Sequence, residues 1–194
     1  MTSLVRAIGL ILFVSIATHA QGLQIEVVGH GGIPLNDTLQ PEQSSGGAGL
    51  FVRRKTDRAA YMTGVSAGVV IRDRLHLAFG AMYMPVSFTT TVSTATGHTP
   101  GTSWEFPLIA DYRWGSGVLR PFSGGGFVLY NRTTAGENQA PAPVLSGGIE
   151  LSKISLVIRP ELRYIHYPDS SRSSVSVGRP SNQFQLLIGI GFRK

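Results

Sequence analysis

The chain has 194 residues, 42% of them hydrophobic, no cysteine, and a formal charge of +6 at pH 7. The missing cysteines exclude a disulfide framework and a lipid-modified cysteine at a processed N-terminus. The basic residues are scattered apart from Arg53-Arg54-Lys55 with Arg58 close by, which speaks against a nucleic-acid partner and leaves anionic lipopolysaccharide or surface phosphate as the attraction.

Residues 1–20 read as a secretory signal peptide: Arg6 supplies the positive start, residues 7–17 are apolar, and Thr18-His19-Ala20 offers small residues at a cleavage site. The apolar run of 11 residues is too short for a spanning helix, which needs about 20. Residues 21–194 then form one exported domain. No later run is long enough to span as a helix, so insertion into a membrane requires a closed barrel.

Eight stretches of the exported part alternate apolar and polar residues. The first predicted strand covers 23–32 and is followed by a Gly-, Ser- and Pro-rich segment, 33–60, in which Gln43-Ser44-Ser45-Gly46-Gly47 is expected to be mobile. The second strand, 61–71, turns at Arg72-Asp73-Arg74 into the third, 75–88. A Thr-rich loop without Lys, Arg, Asp or Glu covers 89–101. The fourth strand, 102–114, turns at Gly115-Ser116-Gly117 into the fifth, 118–130, which contains Gly124-Gly125-Gly126. After a loop at 131–141, the sixth strand, 142–151, turns near Ser152-Lys153 into the seventh, 154–167. A Ser-rich loop, 168–181, leads to the eighth strand, 182–192.

Long and short connections thus alternate, as they do when long loops face outward and short turns face the periplasm. Strand four shows the polarity of the wall. Trp104, Phe106, Leu108, Ala110, Tyr112 and Trp114 share one face, and Glu105, Pro107, Ile109, Asp111 and Arg113 share the other. A greasy exterior around a charged interior is inverted for a soluble barrel and suits one standing in lipid. The expected fold is all-β: an eight-stranded antiparallel up-and-down transmembrane β-barrel.

Two aromatic belts are expected on the outer face. The upper one takes Tyr61, Tyr83, Trp104, Phe106, Tyr130, Tyr164 and Phe184. The lower one takes Tyr112, Trp114, Phe122 and Phe192, with Arg120 as an outward exception that snorkels near a turn. Aliphatic residues such as Val65, Leu77, Leu145 and Ile188 fill the band between. The inward positions set Glu26, Glu105, Asp111, Glu150 and Glu161 against Arg72, Arg113, Arg159 and Arg163, with His30 and His76 beside them. An eight-stranded barrel is just wide enough for side chains to fill, and buried charges must be paired. The expectation is a structural charge network that plugs the lumen.

The chain resembles the bacterial outer-membrane protein β-barrel family, in its small eight-stranded OmpA/OmpX-like form. The residues that carry the resemblance are the opening strand Gln24-Ile25-Glu26-Val27-Val28-Gly29-His30-Gly31-Gly32-Ile33-Pro34-Leu35, then Arg120-Pro121-Phe122-Ser123-Gly124-Gly125-Gly126, then Arg159-Pro160-Glu161-Leu162-Arg163-Tyr164. The fourth is the closing strand Phe184-Gln185-Leu186-Leu187-Ile188-Gly189-Ile190-Gly191-Phe192, similar to the family's assembly signal except that Arg193 and Lys194 follow the aromatic. The resemblance implies an integral outer-membrane location and barrel-assembly machinery as a partner during insertion.

No catalytic, metal or cofactor site is expected. Gly124-Gly125-Gly126 lacks the helix and lysine of a phosphate loop, and the inward carboxylates have no diagnostic pairing. His166 is the sharpest catalytic candidate because some eight-stranded barrels are lipid A deacylases. Tyr167 and Pro168 follow it directly, Ser170 and Ser171 come later, and Glu161 faces the lumen, so the pattern does not match. The expected function is non-enzymatic: a small barrel in outer-membrane lipid and lipopolysaccharide, presenting loops for surface interaction or envelope integrity to an unidentified extracellular partner. The alternatives are a lipid-modifying barrel enzyme and a soluble exported barrel that binds an apolar ligand as lipocalins do.

Overall fold

A computed structural model describes residues 22–35, 43–47, 50–57, 61–92, 95–132, 141–166 and 182–194. The predicted signal peptide lies outside them. Ten strands follow in chain order: β1 (Leu23–Pro34), β2 (Gln43–Gly47), β3 (Leu50–Asp57), β4 (Met62–Ile71), β5 (Leu75–Val92), β6 (Ala95–Arg113), β7 (Leu119–Arg132), β8 (Ala142–Lys153), β9 (Leu156–His166) and β10 (Asn182–Arg193). Eight of them close into an antiparallel barrel in which β1 pairs with both β4 and β10, and β5 with both β4 and β6. Closure leaves the barrel wall no open edge, the condition for spanning hydrocarbon with strands.

Each ladder keeps a single register. The β5–β6 ladder runs from Leu75↔Tyr112 to Val92↔Ala95 and breaks only opposite Pro107 and its neighbour. The β8–β9 ladder breaks opposite Pro160 and its neighbour. Proline has no N–H to donate, so the interruption is local and the register survives it. The short connections gather at one end of the barrel. The first is a three-residue connection, 72–74, whose tight turn has Arg72 at φ 50° and Asp73 at φ 59° in its centre and the Arg74 N–H donating to Ile71 O at 3.1 Å. Positive φ at both central residues matches the twist of the flanking strands. In the β6–β7 connection Gly115 (φ 77°) and Gly117 (φ 118°) supply the same freedom without a Cβ.

Two expected loops are strands. Residues 43–47 and 50–57 form the β2–β3 hairpin, and β3 pairs with the upper part of β5 from Val52↔Val92 to Asp57↔Ser87. The stretch expected to be mobile is therefore β2, and Arg53-Arg54-Lys55 lies on β3. The Thr-rich stretch belongs to the upper ends of β5 and β6, which are 18 and 19 residues long. A spanning strand needs about 9–11 residues, so this hairpin continues well past the wall. Threonine has high β propensity, and pairing outweighs the polar, loop-like composition: the top of β5 has β3 on one side and β6 on the other.

Candidate functional site in the barrel lumen

The inner face is built in layers. At the short-turn end, Glu26 on β1, Arg113 on β6, Glu150 on β8 and Arg193 on β10 form a closed ring of ion pairs. Arg113 Nη2 donates to Glu26 Oε2 at 3.0 Å and its Nε faces Glu150 Oε2 at 2.8 Å. Arg193 bonds the same two carboxylates, with Nε to Glu26 Oε2 at 2.7 Å and Nη2 to Glu150 Oε1 at 2.6 Å. Each acid meets two guanidinium groups, and Arg113 is 0% exposed. Four strands are tied across the barrel axis by charge-assisted bonds, the strong kind in a dry interior.

Above the ring, Arg159 reaches Asp111 and stacks over Phe122, its guanidinium carbon 3.8 Å from the ring centroid. Asp111 also accepts from Ser146 Oγ at 2.6 Å. His76 links the layers: Nδ1 accepts from Arg159 Nη1 at 2.9 Å, and Nε2 faces Glu26 Oε1 at 3.4 Å. Next, Arg163 Nε donates to Glu161 Oε1 at 2.5 Å, while His30 Nε2 meets Ser66 Oγ at 2.8 Å. A cavity of about 20 Å³ remains among these groups, lined by His30, Ser66, His76, Asp111, Arg159 and Glu161 with others. That is room for little more than one water. The upper lumen holds two apolar clusters. Met62, Met82, Met84 and Leu187 form one buried cluster, and Ile109, Val128, Tyr130, Ala142, Val144 and Ile165 form another. Glu105 lies at this height and accepts from Gln185 Nε2 at 2.9 Å.

Of the residues expected in the luminal network, Glu26, Glu105, Asp111, Arg113, Glu150, Arg159, Glu161 and Arg163 are buried. Arg72 is not among them: it occupies the first turn and is exposed. Strand alternation stops at Ile71, where β4 ends, so parity no longer assigns the next residue to a face. Arg193 takes the place that sequence reading gave to Arg72. Its signal was present, because residues 183, 185, 187 and 193 share the inner face of β10, opposite Phe192.

On the outer face Tyr61, Trp104, Tyr112, Trp114, Phe184 and Phe192 are exposed, and Tyr83, Phe106 and Tyr164 are half-buried. They cluster by height: Tyr83 sits edge-on to Trp104 at 5.3 Å, Tyr164 against Phe184 at 5.1 Å, and Tyr112 edge-on to Trp114 at 4.9 Å. Phe122 and Tyr130 are corrections. They are 3% and 5% exposed and face the lumen, while Leu119, Phe127 and Leu129 face outward. The parity of β7 was inverted because Gly124-Gly125-Gly126 carries no polarity to read, and a one-residue slip moves every side chain to the other face. Arg120 accordingly turns toward the mouth, where Nε donates to Gly117 O at 2.8 Å and Nη1 to Asp73 O at 3.2 Å.

The inner glycines make room for this network. A Cβ at Gly124 would fall onto Ala110 O and the Asp111 carboxylate, and one at Gly148 would lie 2.9 Å from the Phe122 ring. His166, at the top of β9, is exposed and donates from Nδ1 to Asn182 Oδ1 at 2.8 Å, an oxygen that also accepts from Tyr164. Ser170 and Ser171 lie outside the described residues.

Charge inside and aliphatic side chains outside remove the soluble lipocalin-like alternative, which needs the reverse. The structure of the outer membrane protein OprG from Pseudomonas aeruginosa matches with a TM-score of 0.58 at 11% identity, over 91% of this chain and 97% of that one. The chain is a small eight-stranded β-barrel of the outer-membrane type. The N-terminal barrel domain of Pseudomonas aeruginosa OprF matches with a TM-score of 0.50 at 15% identity, over 88% of this barrel and 97% of that domain. The outer membrane protein AlkL, solved in lipid bilayers, matches with a TM-score of 0.50 at 14% identity, over 90% of each chain. No protein-family model and no curated protein matches the sequence.

Proposed function

We propose that this barrel is a non-enzymatic protein of the outer membrane, with a closed lumen and its long-loop end presented at the cell surface. The observation that carries the reading is the packing of the lumen, from the Glu26–Arg113–Glu150–Arg193 ring to the methionine cluster, with a cavity of about 20 Å³ between them among the described residues. Water-filled channels belong to barrels of about 16 strands or more. The apolar wall supports outer-membrane lipid and lipopolysaccharide as its surroundings. The alternating β10, in which Phe192 is the last aromatic before Arg193 and Lys194, supports handling by the barrel-assembly machinery during insertion. The tall β5–β6 hairpin, uncharged from residue 89 to 101, is the part best placed to touch a surface partner.

Two measurements test the reading. Refolded protein added to planar lipid bilayers is expected to give no unitary conductance steps, and reproducible steps would overturn the plug. Lipid A from cells producing the protein is expected to keep its mass profile. An acyl loss that His166→Ala abolishes would overturn the non-enzymatic assignment.

A further inference from the structure

The short-turn end of the barrel holds a concavity on the outer side of the luminal ring, which it meets at Arg193. It has a volume of about 390 Å³ and is lined by Asp73, Arg120, Lys153, Ile154, Arg193 and Lys194 among others. These residues come from three different turns and from the end of β10, so the space lies across the mouth and not on the lipid-facing wall. Its lining is basic: Arg120, Lys153, Arg193 and Lys194 border it, with Asp73 as the acidic side chain among them. The carboxylates above it do not offset this excess, because Glu26 and Glu150 are paired with Arg113 and Arg193. The backbone of Lys194 is held in place: its oxygen accepts from the Ile25 N–H at 2.7 Å and its N–H donates to Ile25 O at 2.9 Å.

We infer that this mouth is a binding site for a small phosphate-bearing anion, held by Arg120, Lys153 and Lys194. Arg120 is fixed in advance by its bonds to Gly117 O and Asp73 O, one from each of two turns. Those carbonyls occupy part of its donor fork, so side-on docking of a planar carboxylate is hindered. Lys153 and Lys194 approach from other strand ends as rotatable point charges. Donors that border one space from separate strand ends and turns suit the oxygens of a tetrahedral anion. The volume lies within the range of small-ligand sites, about 300–1,000 Å³. Lys153 and Lys194 make no ion pair among the described residues, so their charge is available to a ligand.

The test uses the full refolded barrel in zwitterionic detergent, titrated with inorganic pyrophosphate and followed by calorimetry and backbone amide shifts. Saturable binding is expected, weakening with salt, with shifts confined to residues 72–74, 117–120, 152–155 and 193–194. Lys153→Gln with Lys194→Gln alters two exposed side chains and is expected to keep the heat-modifiable fold while weakening binding by about tenfold or more. Lipid nanodiscs separate the two sources of phosphate. If anionic phosphatidylglycerol suppresses pyrophosphate binding relative to phosphatidylcholine, the occupant is a lipid headgroup; if it does not, the occupant is a free phosphate compound. Absent saturation, undiminished affinity in the folded double variant, or shifts confined to the outer wall would overturn the inference.

Discussion

Arg113 is where sequence chemistry and packing meet most directly. Its guanidinium is fully buried and holds both Glu26 and Glu150. Arg113→Ala would leave two carboxylates sharing Arg193 in a dry interior. Breaking a buried pair from one side costs about 3–5 kcal/mol, far more than the net worth of the pair, because the remaining charge stays desolvated. The expected outcome is a lower midpoint in urea unfolding of the lipid-inserted barrel. Glu26→Gln in the same chain should recover part of the loss by removing one orphaned charge. A fall below about 1 kcal/mol for Arg113→Ala would mean that water enters the ring and screens it. Nearly every acidic and basic partner in this lumen was legible from alternation alone. Arg193 was passed over because it follows the closing aromatic, and Arg72 was included because it adjoins a clear strand.

Among the elements, the turns and β7 teach different lessons. The first turn places Arg72 and Asp73 at positive φ, a region that side chains with a Cβ enter reluctantly. Replacing Arg72-Asp73 by Asn-Gly puts residues that favour positive φ at the two central positions of this turn. Relief of the left-handed backbone, worth about 1–2 kcal/mol per residue, is offset in part by the greater freedom of glycine in the unfolded chain, so stability is expected to rise by about 0.5–1 kcal/mol, read as slower unfolding in urea; an unchanged or faster rate would count against the turn geometry. For β7, the alternation of residues 118–130 contains three consecutive glycines that expose no preference. The face was decided by the neighbours: Phe122 pairs opposite Gly148, and that glycine leaves space for its ring on the inside. The β2–β3 hairpin and the upper β5–β6 arm were likewise invisible locally, because polar, Gly- and Thr-rich strands look like loops until their partners are known.

The whole molecule is a barrel closed by the ladder between its first and last strands, with β1 and β10 paired from Glu26↔Arg193 to Pro34↔Gln185. Such closure makes unfolding cooperative and resistant to detergent, since any opening exposes backbone donors to an apolar surround. On a gel, unboiled protein from outer-membrane fractions is expected to migrate faster than boiled protein. A single unshifted band in a soluble fraction would be incompatible with the apolar wall, on which Leu145, Ile188, Ile190 and Phe192 are all exposed. The likeness to OprG, OprF and AlkL at 11–15% identity fits the same physics: lipid outside and a packed inside constrain the polarity of each position far more than its identity.

The sequence by itself determined the number of wall strands, their antiparallel order, the side that meets lipid, and most of the buried charges. Each of these follows from a period-two polarity pattern interrupted by turn residues, which is local information. Tertiary structure alone decided which acid pairs with which base and the face taken by Phe122 and Tyr130. It also decided the apolar clusters of the upper lumen and the strands grown from apparent loops. Those outcomes depend on the stagger between strands that are distant in sequence. Stagger is set by closure of the whole ring and by space beside glycines, and neither is written in any single segment.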